Sequence, residues 1–239
     1  MQEQNLVEDK KEAAVKPKKT TSLLFKTNKK GRHVSPCLSF LRVWIMPLVR
    51  LVYPFRVLGA KKVADGPCVY VSNHYRMIDP MYLLPTTKEG IHFIAKKESG
   101  NIPVLRFFIN RVKTIYVNRD GNDIRAIMDA QKCLRNGDKI AIYPEGKRNT
   151  SEETFLPFKP GCELIAIRAK VPVIPVVIYE KTRIFRRNTI LVGNPIDLSE
   201  YYGIKLTDEV LKEAGDKILS AMKSLREEYT ASLSEKRKR

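Results

Sequence analysis

Six short apolar runs recur along the chain, at 68–72 (CVYVS), 92–96 (HFIAK), 114–118 (TIYVN), 139–143 (KIAIY), 173–178 (VIPVVI) and 189–193 (TILVG). Most lack the strict alternation of a strand with one wet face, and bare apolar runs of this length suit a sheet covered on both sides. Between them the apolar period lengthens to that of a helix. Residues 122–136 place Ile124, Ile127 and Leu134 at helical spacing and stop before Gly137, which suits the left-handed turn that ends helices. Residues 161–170 read as another helix. A further one starts after Thr207, a capping residue, with Asp208 and Glu209 in its first turn and Val210, Leu211, Ala214, Ile218, Met222 and Leu225 along one face. The alternation predicts an α/β fold, a mixed and largely buried sheet flanked by helices.

Residues 38–57 (LSFLRVWIMPLVRLVYPFRV) are apolar and aromatic, but Arg42, Arg50, Arg56, Pro47 and Pro54 interrupt them. That argues against a clean bilayer span. Arginines that snorkel beside Phe40, Trp44, Tyr53 and Phe55 suit a helix lying in the membrane interface, and the alternative is a kinked helix covering the domain's own core. The expected organisation is a flexible basic arm over 1–35, an N-terminal membrane-interface helical segment over 36–58, and a domain over 59–239 ending in a helix and a basic tail.

Charge adds an anionic partner to this picture. The 239 residues hold 44 Lys and Arg against 26 Asp and Glu, a net +18, of which +5 falls in residues 1–35 and +3 in 235–239. The remaining body is still basic, as for a protein that meets nucleic acid, an anionic bilayer or phosphorylated metabolites. No helix-turn-helix, zinc-finger or aromatic RNA-binding pattern appears, so nucleic acid is not expected. At 43% hydrophobic and 29% charged residues the chain is neither a polytopic membrane protein nor wholly disordered. Cys37, Cys68, Cys133 and Cys162 have the spacing of neither a zinc site nor a disulfide framework and read as reduced thiols inside a cell. Residues 1–30 lack the apolar stretch of a secretory signal, which points to the cytosol. Neither metal nor cofactor is expected.

Chemistry-bearing residues follow the strands. After CVYVS come Asn73, His74 and, five residues beyond the His, Asp79 followed by Pro80. In a regular helix that separation turns the side chains about 140° apart. The segment is therefore expected to be partly loop, with Asp79 at a helix N-cap, Pro80 at the first helical position and His74 free to fold back onto the carboxylate. Such a pair makes a base whose tautomer the Asp fixes, although a lone His near a strand end is more often structural. Glu145, Gly146, Lys147 and Arg148 follow KIAIY, and Arg119 follows TIYVN. Glycine lets backbone approach a ligand, and three cations at strand ends can converge on one phosphate, where solvated basic loops are the plainer alternative. Cys162, His92 and His33 read as structural.

These blocks together resemble the glycerolipid acyltransferases of the 1-acylglycerol-3-phosphate type. Asn73-His74 through Asp79 is similar to that family's catalytic block, Tyr116 to Arg119 to its second, Pro144 to Arg148 to its third, and Val171 to Pro175 to its fourth. The resemblance spans about residues 57–193. It implies that residues 59–239 form an acyltransferase domain, with acyl-CoA or acyl-carrier protein as donor and lysophosphatidic acid as acceptor, and with no covalent acyl-enzyme. The product would be phosphatidic acid. Glycerol-3-phosphate or another lysophospholipid is the alternative acceptor, and a non-catalytic basic membrane or nucleic-acid binding protein is the alternative from another class. His74 and Asp79 would be catalytic and Arg119, Lys147 and Arg148 would hold phosphate. Asn73, Glu145, Gly146 and Pro175 would shape the site, Asn73 by bracing the loop and Glu145 by orienting the cations or touching a substrate hydroxyl. Two departures, Tyr75-Arg76 after the His and Lys147 where the family usually has Thr, are expected to add size or charge beside the acceptor. The resemblance also implies work at the cytoplasmic face of an anionic membrane, as a peripheral or monotopic protein.

Overall fold

All six apolar runs become strands, and a seventh joins them from a stretch expected to be helical. The computed structural model describes residues 26–27, 33–34, 39–59, 66–87, 90–96, 114–117 and 123–238. Two short strands, β1 (Lys26–Thr27) and β2 (His33–Val34), pair antiparallel inside the stretch expected as a flexible arm. The main sheet contains β3 (Phe55–Gly59), β4 (Val69–Ser72), β5 (Ile91–Lys96), β6 (Ile115–Val117), β7 (Lys139–Ile142), β8 (Val173–Ile178) and β9 (Asn188–Val192). Their order is β3-β9-β8-β4-β7-β5-β6. Every pairing is parallel except β8 with β9, so the sheet is mixed, as expected.

β4, β7 and β8 are buried along their whole length. Their side chains alternate between two cores, as the pleat requires. Val69, Val71, Ile140 and Val173 face one core with Leu134, Ile165, Ile218 and Met222, which come from α3 (Ile124–Arg135), α4 (Cys162–Ala169) and α5 (Asp208–Lys238). Tyr70, Ala141, Ile174 and Val176 face the other, closed by α1 (Met46–Val52) and α2 (Asp79–Leu83). The α5 face reads as expected, and Val210 N–H meets Thr207 Oγ1 at 3.4 Å. In α3 the Asp123 side chain caps the helix, but Ile124 points to solvent and Ala126, Ala130 and Leu134 carry the buried face.

The 36–58 expectation divides. A π-helical turn, Leu41–Ile45, runs into α1, with Met46 N–H bonded to Leu41 C=O. Pro47, which has no N–H to give, follows directly, and the wider turn accommodates it. The helix ends at Val52, and Phe55–Gly59 is strand, paired in parallel with β9. The helix has two distinct faces: Leu41, Met46 and Val49 sit in the core, while Phe40, Val43, Trp44, Leu48 and Leu51 are 54–69% exposed. The arginines of this segment contact protein. Arg42 Nε donates to Leu84 C=O at 2.9 Å, Arg50 lies 4.9 Å over the Phe55 ring, and Arg56 bonds Thr189 Oγ1 and the Tyr229 hydroxyl. No helix among the described residues is long and apolar enough to cross a membrane.

Candidate active site

The C-terminal ends of the parallel strands β4, β7 and β8 open onto one edge of the sheet, where α/β folds place their sites. Residues 73–78 leave β4 as loop and turn before α2 begins. The His lies on that loop, as its spacing requires, and Nδ1 of His74 stands 2.9 Å from Oδ2 of Asp79. The imidazole keeps 18% of its surface in solvent, and the carboxylate is fully buried.

The cap differs from expectation. Ile78 precedes the helix, Asp79 is its first residue, and the carboxylate reaches backward instead of capping forward. Oδ2 accepts the backbone N–H of Tyr75 at 2.6 Å and of Arg76 at 2.7 Å, while Oδ1 accepts the Thr182 hydroxyl at 3.0 Å. A buried acceptor held by that many donors is fixed in place. An ionised carboxylate can only accept, so against one His74 would carry its proton on Nδ1 and keep the lone pair on Nε2.

Asn73 ties the loop to β8. Its buried amide brackets the end of β8, donating to Ile178 C=O at 3.0 Å and accepting Ile178 N–H at 2.8 Å. Asn149 N–H donates to His74 C=O at 2.6 Å, which ties the loop after β7 to the loop of the His. Within that second loop Gly146 adopts φ +63°, and a Cβ there would stand 3.1 Å from the Lys159 side chain. Glycine meets both demands. Lys147 and Arg148 project exposed from the same loop. Arg119 lies outside the described residues.

Glu145 is buried, and neither carboxylate oxygen makes a hydrogen bond of full geometry among the described residues, although backbone amides lie close to it. Burial raises its pKa to about 7; the backbone amides of Leu156 and His74 offset part of the rise, and the Asp79 charge adds to it. The Tyr143 ring lies 4.4 Å from the His74 ring, and burial pushes its phenol well above the usual range. Tyr75 packs inward and donates to Thr154 C=O at 3.0 Å. Arg76 Nε donates to Thr182 C=O at 3.2 Å.

Pro175 sits inside β8 at the register of Val71, three residues before the strand ends, and not in the loop cluster. Its carbonyl accepts Gly193 N–H at 2.9 Å, and a Cβ on Gly193 would stand 2.8 Å from its ring. β9 ends at Val192, so the N–H that proline lacks is missing at the end of the β8/β9 ladder. His92 pairs with Asp138 at 3.2 Å, buried at the start of β5 and so at the opposite edge of the sheet. Cys162 is a buried helix thiol bonded to Glu163, with its pKa pushed up by burial.

Sequence reasoning missed Thr182 and Tyr143. Both follow apolar strands that end at this edge, the same signal that picked out His74 and Glu145.

A family model described as Acyltransferase matches residues 54–179. The human 1-acyl-sn-glycerol-3-phosphate acyltransferase beta is 37% identical over 133 residues, covering 52% of this chain and 45% of the human one. The 1-acyl-sn-glycerol-3-phosphate acyltransferase of Saccharomyces cerevisiae is 29% identical over 70% of this chain and 58% of its own. The chain thus spans about half the length of the curated relatives it matches. The crystal structure of the 1-acyl-sn-glycerophosphate acyltransferase of Thermotoga maritima superimposes with a TM-score of 0.58 at 24% identity, over 80% of this chain and 77% of that one. That likeness concerns the fold.

Proposed function

The chain belongs to the acyltransferase family, and on that premise we propose that it moves a fatty acyl group from an acyl thioester to the hydroxyl of lysophosphatidic acid, giving phosphatidic acid. The observation that carries the reading is the 2.9 Å contact between His74 and a fully buried Asp79 at the sheet edge. A thioester is already activated, so the enzyme must chiefly deprotonate the attacking alcohol. His74 Nε2 takes the hydroxyl proton as the oxygen attacks the thioester carbon, and Asp79 stabilises the imidazolium that forms. The tetrahedral adduct collapses with loss of the thiolate, which recovers the proton from His74. No acyl-enzyme is needed, and Cys162, buried and held protonated, is no candidate nucleophile.

Lys147 and Arg148, joined by Arg119, would grip the acceptor phosphate and hold its hydroxyl against the base. The bond from Asn149 to His74 supports this, because it sets the basic loop against the dyad. Acyl-CoA and acyl-carrier protein both fit as donor. The acceptor lives in a bilayer, and the exposed stripe Phe40, Val43, Trp44, Leu48 and Leu51 supports docking of the helical segment on the cytoplasmic face of an anionic membrane without crossing it. The organisation proposed is the basic arm, this segment ending at Val52, and an acyltransferase domain that includes β3.

The test is thiol release from acyl-CoA with lysophosphatidic acid, glycerol-3-phosphate and other lysophospholipids competing over one preparation. Preferred acylation of lysophosphatidic acid is expected. Absence of thiol release with every acceptor would remove the enzyme reading.

A further inference from the structure

We infer that the loop between β8 and β9, residues 179–187, is a second bilayer-docking element: Ile184 and Phe185 enter among lipid chains while Arg183, Arg186 and Arg187 meet anionic headgroups. The choice of a bilayer as partner rests on the membrane placement proposed above. The loop itself stands on separate observations.

Ile184 is 53% exposed and Phe185 73%, the highest exposure of any large apolar side chain described. Phe185 also holds φ +53°, in the left-handed region where glycine sits freely and an aromatic residue is strained. Backbone strain persists where surrounding structure over-determines it, and such positions cluster at binding sites.

The frame here is specific. The buried Asn188 accepts Arg183 N–H at 2.8 Å and donates to the carbonyls of Arg183, Arg186 and Pro54 at 3.0, 2.9 and 3.1 Å. Phe185 N–H donates to Val52 C=O at 2.8 Å, which fastens the tip to the end of α1, next to Leu51 of its exposed apolar stripe. The tip is thus a built projection continuous with that stripe.

Charge identifies the partner. Arg183, Arg186 and Arg187 are exposed, and no carboxylate pairs with them among the described residues. With Lys181 and Asn188 they line a cavity of about 200 Å³ whose one acid is Glu180. Lys181 is already occupied by Glu152 at 2.8 Å. A bilayer surface offers anionic headgroups directly above apolar chains, matching three cations around a two-residue apolar tip.

The test places a reporter at the tip. The chain has one tryptophan, so Phe185→Trp in a Trp44→Phe background carries a single indole. With vesicles of phosphatidylcholine and phosphatidylglycerol its emission shifts to the blue, and brominated acyl chains quench it. Replacing all three arginines by Gln weakens vesicle binding by about 100-fold at low salt, at about fivefold per charge. Co-sedimentation with vesicles while the indole stays unquenched would overturn the proposal. So would a blue shift that appears without vesicles and grows with protein concentration, because a second copy would then cover the tip. Quenching with no acylation of lysophosphatidic acid would leave the docking loop standing and remove the acceptor assignment alone.

Discussion

Thr182 Oγ1 donates a 3.0 Å hydrogen bond to Asp79 Oδ1, the carboxylate oxygen turned away from His74. The residues stand 103 apart in sequence, so the bond joins the loop after β8 to the start of α2 and fixes the plane of the carboxylate behind His74. The Thr182 carbonyl receives Arg76 Nε as well. Thr182 is therefore a positioning residue, acting on the dyad through Asp79.

Replacing Thr182 by Val keeps the shape and deletes the hydroxyl. A hydrogen bond to a charged acceptor contributes about 1.5–3 kcal/mol, so kcat should fall by about 10- to 100-fold with KM little changed. Thr182→Ser should recover most of the loss. Equal impairment in both variants would point to packing instead.

Charge removal at Lys147 or Arg148 should raise KM for a phosphorylated acceptor more than for the acyl donor, because both cations project from the loop tied to His74. Steady-state kinetics with each substrate varied in turn checks this. Equal rises in both constants would count against a phosphate grip.

Glu145 carries a pH signature. Its pKa is raised in the fold to about 7 from 4.5, so between those values the folded state holds a proton that the unfolded state has lost. Stability from this group is present below about pH 4.5 and is lost as pH rises through 7. Glu145→Gln should remove that decline: relative to wild type, the variant melts higher at pH 8 than at pH 4.5, measured by thermal denaturation at both. An unchanged difference at the two pH values would mean that the fold does not raise the Glu145 pKa.

Much of this site was legible in the sequence because parallel sheets put chemistry after strands, and bare apolar runs mark buried strands. His74, Asn73, Gly146, Lys147 and Arg148 were placed after strands that way, and the structure puts them at one edge of the sheet. What stayed hidden depends on distant partners. Thr182 needs the β4/β8 pairing to meet Asp79, and Tyr143 needs the His loop folded over it. The strand Phe55–Gly59 was hidden because an apolar run beside a helix carries no period of its own, and its pairing with β9 decides it.

The exposed stripe of the first helix gives a separable prediction. Phe40→Ser, Trp44→Ser and Leu48→Ser together should release the protein from anionic vesicles with little change in melting temperature. Leu41→Ser, which opens the core, should lower the melting temperature instead. Vesicle co-flotation and thermal denaturation on the same samples separate the two faces, and co-flotation of the triple variant at wild-type levels would count against docking through this helix.

The central claim is that His74, held by Asp79, is the base. Its most direct test is acyl transfer by His74→Ala and Asp79→Asn, each first shown by circular dichroism and melting to be folded. Base catalysis contributes about 10²- to 10⁴-fold, so the His variant should lose at least that factor. The Asp variant should also fall heavily, since an amide can donate to Nδ1 and stabilise the wrong tautomer. Turnover close to wild type in folded His74→Ala, with the same acceptor and donor, would contradict the account.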